Sequence, residues 1–299
     1  MTLMRLLVRS VRQYSAALRM LIAFTVILGI AYPLAVTAVA QIPGLKSRAD
    51  GSIVQADGRQ VGSALLGQSF TDSAGRPLVQ YFQSRPSTSS YDPTASGASN
   101  LGPESIVDVL PDPAVKGDRG SPSLLTQVCA RSLAVGRLEG VDGSRPFCTS
   151  GGVGAVLAVF FAQPGYRGRA VKAVSVNQEC PAVPFVQEYR GARVICATFG
   201  VDYHAGKIVP IRGNAPAHPA VPPDSVTASG SGLDPEISVA YARLQEPRVA
   251  RVRGVSVAGV ASLVDALAAG RDLGFLGEAK VNVLKLNAAL DAKYPYLRK

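Results

Sequence analysis

The sequence contains no tryptophan, and only two histidines and three methionines occur among its 299 residues. The two histidines, His204 and His218, leave little room for histidine-based acid–base catalysis. The phosphate loop G-x-x-x-x-G-K-[ST], the zinc motif H-E-x-x-H and the nucleophile elbow G-x-S-x-G are also absent. These absences argue against the common nucleotide-hydrolysing, zinc-hydrolase and serine-hydrolase classes.

Acidic residues are also missing from the first part of the chain. Four arginines precede the one long hydrophobic run without an intervening acid: Arg5, Arg9, Arg12 and Arg19. The other basic residues are scattered singly, with no basic stripe interleaved with aromatic residues, which argues against nucleic acid as the partner of this +10 chain. The arginines instead indicate a membrane topology with the N-terminus in the cytoplasm.

The hydrophobic run Leu21–Ala40 contains twenty residues and no charge. About 20 apolar residues cross the hydrocarbon core as a helix. We therefore predict a short cytoplasmic N-terminus over residues 1–15 and a single transmembrane helix over residues 16–40. Only Lys46 and Arg48 follow closely, beside Asp50, so the C-terminal bulk is predicted to lie outside the plasma membrane.

A cleaved signal peptide is the alternative, because Ala38-Val39-Ala40 before Gln41 matches a small-x-small cleavage pattern. The apolar run exceeds the usual signal length of about 7–15 residues, which favours a retained anchor. Small residues in the anchor let helices approach closely, which predicts a docking face for a partner, although lipid could cover them instead. They are Gly29, Ala31, Ala35 and Ala38.

The remaining chain divides by composition into a soluble domain and a block inserted in it. We predict the first part of the domain over residues 41–110, a cysteine-containing block with a proline-rich exit over residues 111–223, and the second part over residues 224–299. The block has mainly β-type patterning, and Val153–Ala162 is predicted to be a buried strand. The expected fold is an extracytoplasmic α/β (α+β) domain carrying a β-rich insertion.

Helical patterning dominates the last part of the chain. Three helices are predicted: Ser238–Val252 interrupted at Pro247, Val257–Ala269 capped by Ser256 and ending at Gly270, and Val281–Ala292. Two glycine-rich stretches, Thr227–Pro235 and Gly270–Glu278, are predicted to be tight turns that lead into helices. Tyr81–Pro103, rich in Ser, Pro, Gly and Asn, is predicted to be a long loop.

All four cysteines lie in the inserted block: Cys129, Cys148, Cys180 and Cys196. An even number in an oxidising compartment predicts two disulfides, for which three connectivities exist. We favour the local pairs Cys129–Cys148 and Cys180–Cys196, while the other connectivities stay open. Because no C-x-x-C is present, we expect no metal site.

No pairing of side chains singles out a catalytic centre. Asp72, Asp92, Asp234 and Glu278 have distinctive surroundings, and Asp92 and Asp234 precede proline, as turn carboxylates do. A hydrolase with Ser229 or Ser231 as nucleophile would lack a suitably spaced histidine or lysine. A binding module that uses the segment YFQSRPSTSSYDP as its ligand loop is another alternative.

Several motifs occur together and in a characteristic order. They are YPLAVT at the end of the anchor, LLGQSF (Leu65–Phe70), YFQSRPS (Tyr81–Ser87), SNLGP (Ser99–Pro103), TASGSGLDPEIS (Thr227–Ser238) and GRDLGFLGEAKVNVLKLNAALD (Gly270–Asp291). In these the chain resembles KdpC, the C subunit of the Kdp potassium-transporting P-type ATPase, in a long form with an inserted block.

The resemblance implies a non-catalytic accessory subunit that is needed for assembly with a potassium-selective channel-like subunit and a P-type ATP-hydrolysing subunit. It also implies a catalytic chaperone that raises the ATP affinity of the hydrolysing subunit, with ATP contacted at Leu66, Gly67 and Gln68. The predicted topology puts Gln68 on the side away from cellular ATP. The alternative is therefore an extracytoplasmic cap over the potassium-selective subunit, without nucleotide contact.

Overall fold

The computed structural model describes residues 2–271 and 273–296, with side chains from residue 11 onward. The predicted topological roles of Arg5 and Arg9 therefore lie outside the described side chains. The chain forms two compact units, one ending at Val54 and the other beginning at Gln55.

The first unit is mainly helical, as predicted for the anchor. It contains α1 (Thr2–Val26), a π-helical turn (Ile27–Ala31), α2 (Tyr32–Ala40) and α3 (Lys46–Ala49). The π turn ends two residues before Pro33, which has no N–H to donate and whose ring crowds the preceding turn. The helical stretch Val11–Ala40 is long and apolar enough to span a membrane, and none of the residues in its most apolar part is buried.

The second unit starts with little regular structure. Two short strands pair with each other: β1 (Ile53–Ala56), which crosses the boundary between the units, and β2 (Arg59–Ser63). The chain then has neither a helix nor a regular strand until residue 124. This irregular region includes Tyr81–Pro103, for which the sequence predicts a loop. Side-chain hydrogen bonds hold much of it in place, as described below.

A five-stranded sheet forms the centre of the predicted block. Its order is β5-β6-β4-β3-β7, and its pairs are antiparallel except for β4 with β6. The predicted strand Val153–Ala162 is confirmed as β3, beginning three residues later. The strands are β3 (Val156–Gln163), β4 (Arg167–Glu179), β5 (Glu188–Tyr189), β6 (Ala192–Ala197) and β7 (Lys207–Pro210).

The same block contains a helix that its β-type patterning did not predict, α4 (Leu124–Glu139). Its capping signals are local: the Ser123 hydroxyl accepts a hydrogen bond from the Thr126 N–H, and Gly140 ends the helix in the left-handed conformation. Val135 of this helix belongs to the main hydrophobic core together with Val249 and Leu286. The block is therefore joined to the rest of the unit by packing as well as by the chain.

Three helices pack around a small antiparallel sheet in the last part of the chain. The sheet has the order β8-β10-β9, with β8 (Glu236–Ser238), β9 (Ala268–Ala269) and β10 (Lys280–Asn282). The helices are α5 (Val239–Arg253), α6 (Val257–Leu267) and α7 (Val283–Lys293). Side chains of Ser238, Ser256 and Asn282 cap them, as predicted for Ser256.

The three predicted helices differ from the observed ones in their ends. α5 continues through Pro247 instead of breaking there. α6 stops at Leu267 because Ala268 and Ala269 pair with β10, and α7 starts at Val283 because the preceding residues form β10. The prediction that the glycine-rich stretches lead into helices is therefore wrong in detail, since a short strand separates each stretch from its helix.

Candidate functional site

Two motifs that lie far apart in the sequence, YFQSRPS and TASGSGLDP, meet through the side chains of Arg85 and Asp234. Arg85 Nη1 lies 2.9 Å from Asp234 Oδ2, and Arg85 Nη2 donates to the carbonyl oxygens of Thr227 and Ala228, each at 3.4 Å. The second carboxylate oxygen of Asp234 accepts a hydrogen bond of 3.1 Å from Ser231 Oγ. Asp234 is therefore the partner of an arginine, beyond the turn role that its position before proline predicts.

Serine hydroxyls and backbone groups join the same two loops further along. Ser87 Oγ donates to the carbonyl oxygen of Gly232 at 2.7 Å and accepts a hydrogen bond from the Tyr91 N–H at 3.0 Å. The Gly97 N–H donates to the carbonyl oxygen of Ser231 at 2.9 Å. These bonds explain why a serine- and proline-rich loop without a core of its own is ordered.

Gly67 packs directly against the junction formed by Arg85 and Asp234. It is buried, its N–H donates to the carbonyl oxygen of Leu233 at 2.8 Å, and a Cβ at this position would collide with the Tyr91 ring and the Asp234 carbonyl. Any larger residue at position 67 must therefore displace the junction.

Gln68, one of the three residues predicted to contact nucleotide, forms intramolecular hydrogen bonds. Its side-chain Nε2 donates to the carbonyl oxygen of Val61 at 2.8 Å, and its own carbonyl oxygen accepts from Ser84 Oγ at 2.8 Å. The Leu66 N–H donates to the Ser63 carbonyl oxygen at 3.2 Å. Leu66, Gly67 and Gln68 thus form a packed turn, with Leu66 and Gln68 partly exposed.

Two shallow clefts lie on either side of Arg85, which lines both. One, of about 220 Å³, is lined by hydroxyl-bearing residues that include Ser69, Thr71 and Tyr91. The other, of about 200 Å³, is lined by carboxylates that include Asp224 and Glu236, and by Lys280. Within residues 2–271 and 273–296, no cluster of three or more histidine, cysteine or acidic side chains is arranged to hold a metal ion.

The remaining candidate residues have structural partners. Asp92 Oδ1 accepts from the N–H and hydroxyl of Thr94, as a turn carboxylate does, and these bonds hold the pKa of Asp92 below its usual value. Ser229 is buried, and its hydroxyl lies 3.1 Å from that of Ser231, which in turn donates to Asp234. Within the described residues, neither serine is hydrogen-bonded to a histidine or lysine that could activate it as a nucleophile.

Tyr91 titrates far from its ordinary range. Its hydroxyl donates to the carbonyl oxygen of Arg85, and burial raises the pKa of Tyr91 to about 12. This pKa exceeds the value of about 10 expected in the unfolded chain. The protonated Tyr91 hydroxyl therefore stabilises the folded state fully below pH 10, and this stabilisation is lost as the pH rises towards 12. The junction should therefore weaken in alkali.

Replacement of Tyr91 by phenylalanine tests this linkage. We expect the difference in unfolding free energy between wild type and Tyr91→Phe to narrow by about 2–3 kcal/mol between pH 9.5 and 12, because phenylalanine cannot ionise. Urea unfolding of the full chain in detergent, followed by near-ultraviolet circular dichroism, measures it. A difference that stays constant over this range would contradict the assignment.

A buried polar network that sequence reasoning missed ties α4 to α5. Arg248 Nε lies 3.1 and 3.0 Å from the two carboxylate oxygens of Glu139, and Arg248 Nη2 donates to Gln245 Oε1 at 2.9 Å. Gln245 also accepts from the Gln83 N–H at 2.6 Å. Burial raises the pKa of the Glu139 carboxyl, and the Arg248 guanidinium opposes that shift.

The four cysteines lie outside the junction formed by Arg85 and Asp234. The structure joins Cys129 of α4 to Cys148, and Cys180 to Cys196 of β6, and no free cysteine remains in the described chain. The first bond fixes α4 to the segment that leads into the five-stranded sheet. The second connects the segment after β4 to the adjacent strand.

Comparisons with known proteins agree with the motifs. The sequence profile described as KdpC, "K+-transporting ATPase, c chain", matches residues 14–108 and 205–292. Residues 109–204, between the two matched segments, include α4 and four of the five strands of the larger sheet.

Whole-length relatives extend the similarity. The "Potassium-transporting ATPase KdpC subunit" of Kineococcus radiotolerans is 37% identical over 286 residues, covering 95% of each chain. The protein of the same name from Mycobacterium tuberculosis (strain H37Rv) is 34% identical over 282 residues, covering 94% of this chain and 98% of the relative. That of Caulobacter vibrioides (strain CB 15) is 34% identical over 277 residues, covering 92% and 90%. The chain therefore belongs to the KdpC family, the c chains of K+-transporting ATPases.

Proposed function

We propose that this chain is an assembly subunit of a high-affinity ATP-driven potassium uptake complex, anchored in the plasma membrane by its N-terminal helix, with the larger unit outside. The observation that carries the proposal is the use of the motif side chains. Arg85 and Ser231 both bond to Asp234, and Ser87 bonds to the Gly232 carbonyl oxygen, so these side chains join two distant loops. Such a junction serves to hold a rigid surface.

The proposed partners are the potassium-selective channel-like subunit and the P-type ATP-hydrolysing subunit. The small residues of the anchor are exposed along the helix and would let a partner's helix approach: Gly29, Ala31, Ala35 and Ala38. The two disulfides support an extracytoplasmic location for the larger unit, because such bonds persist in oxidising compartments.

A second candidate role is the catalytic chaperone, in which Leu66, Gly67 and Gln68 contact ATP and raise its affinity for the hydrolysing subunit. The partial exposure of Gln68 and the presence of Arg85 in the neighbouring cleft favour it. The bond from Gln68 Nε2 to the Val61 carbonyl and the proposed topology argue for the other role, a cap over the potassium-selective subunit without nucleotide contact.

Measurements on the purified complex distinguish the two roles. For Gln68→Ala we expect normal recovery of both partners and a KM for ATP within about twofold of wild type, because the side chain serves a local turn. A tenfold increase in KM, about 1.4 kcal/mol, would instead support the nucleotide role.

The matched arm of this experiment is Ala35→Leu in the anchor. We expect this bulky change to lower the recovery of both partners while the isolated chain stays folded and membrane-bound, because helices that meet at small residues tolerate little added volume. Unchanged recovery would contradict docking through this face.

A further inference from the structure

The glycine-rich stretch between β9 and β10 ends in an apolar tip, the residues 273–276. Leu273 is 82% exposed, Phe275 69% and Leu276 49%. Soluble proteins seldom leave three large apolar side chains together in water, and such patches mark contacts with a protein or a membrane. The hydrogen bonds described above around Arg85 and Asp234 do not involve these side chains.

The tip projects from the rest of the second unit. A methyl group placed on Gly270, Gly274 or Gly277 would meet no heavy atom within 4 Å beyond the adjoining residues. The base of the tip is held by pairing of Val281 with Ala268 and by the ion pair of Lys280 Nζ with Glu236 Oε2 at 3.0 Å. The apolar side chains are therefore presented on a convex projection with a fixed base.

The backbone of the tip also keeps its side chains apart from the domain. Leu273 has a φ of 53°, in the left-handed region that a leucine rarely adopts, and Gly274 follows with a φ of 83°. Such strained positions tend to occur at functional sites.

We propose that this tip inserts into the lipid interface of the membrane that anchors the chain. A bilayer suits a convex apolar tip, because it offers a deformable apolar medium without requiring a matching groove. Only 14 residues, 41–54, separate the end of α2 from the second unit, and they span at most about 50 Å. A tether of this length keeps the second unit within reach of the bilayer, and this inference rests on the proposed membrane attachment.

The absence of tryptophan makes a direct test possible, because Phe275→Trp introduces the sole indole of the chain. The full-length variant is reconstituted in vesicles of phosphatidylcholine and phosphatidylglycerol, with or without bromine on the acyl chains. For a side chain buried about 5–10 Å into the interface, we expect a blue-shifted emission that bromine reduces by about half. Flotation of the vesicles measures membrane attachment separately.

The matched control is Val183→Trp, because Val183 is 78% exposed on another loop. We expect red-shifted emission from this control, unaffected by bromine. Adding Leu273→Asn to Phe275→Trp should weaken the quenching, and asparagine tolerates the left-handed backbone.

Three other outcomes would contradict the inference, and they can be told apart. Bromine-insensitive red emission from Phe275→Trp on floated vesicles would show that the tip stays in water. A blue shift that appears only with the partner subunits and resists bromine would assign the tip to a protein contact. Failure of the chain to float would remove the proposed attachment, and the inference with it.

Discussion

Glu139→Ala is expected to lower the free energy of unfolding by about 3–5 kcal/mol, because it leaves a buried arginine without its counterion. The Arg248 side chain is 2% exposed and that of Glu139 is not exposed at all. The guanidinium keeps only Gln245 Oε1 and the carbonyl oxygens of Val79 and Tyr81 as acceptors. Chemical unfolding of the full chain in detergent measures the loss.

The control is the exposed ion pair Arg243–Asp265, whose side chains are about 60% exposed. Asp265→Ala should cost less than about 1 kcal/mol, because water screens this pair. The double variant Glu139→Ala/Arg248→Met should recover part of the loss, since it removes the unpaired charge. Equal losses for Glu139→Ala and Asp265→Ala would contradict the burial of the network.

Removing the disulfide of α4 is expected to have an effect of similar size. The double variant Cys129→Ala/Cys148→Ala should destabilise the chain by about 3 kcal/mol, because the crosslink restricts the unfolded state. Cys129 is 1% exposed in α4, so the change also affects the attachment of this helix. Thermal unfolding with and without a reducing agent reports the loss.

The second disulfide provides the comparison for this prediction. Its cysteines are 16 residues apart and those of the first are 19 apart, so loop closure alone predicts nearly equal costs. A larger cost for Cys129→Ala/Cys148→Ala than for Cys180→Ala/Cys196→Ala would locate the excess in the packing of α4. If reduction left the thermal midpoint of the wild type unchanged, neither bond would contribute to stability.

Features that depend on neighbouring residues could be predicted from the sequence. The apolar, uncharged run Leu21–Ala40 could be recognised as long enough to span a membrane, because its length matches the hydrocarbon core. Ser256 caps α6 and the apolar run after Val153 forms β3, since both follow from local chemistry and periodicity. The ordered motifs likewise identified the family.

Local signals were insufficient where pairing with a distant strand competes with a helix. Ala268 and Ala269 are good helix formers, yet they pair with β10, which shortens α6. The tertiary pairing of these two alanines therefore outweighs their helix propensity. α4 was missed for another reason: its capping signals are local, but its apolar pattern is weak, and Val135 packs into the main core.

The candidate site itself depends on the tertiary structure. The amino-acid sequence alone was enough to recognise the apolar anchor, the family motifs and the turn carboxylate Asp92, whose partner Thr94 lies two residues away. Only the folded chain brings Arg85 to Asp234, and Glu139 to Arg248, across separations of 149 and 109 residues. Partners so far apart leave no periodicity or spacing in the sequence, because packing of the intervening elements alone sets the distance between them.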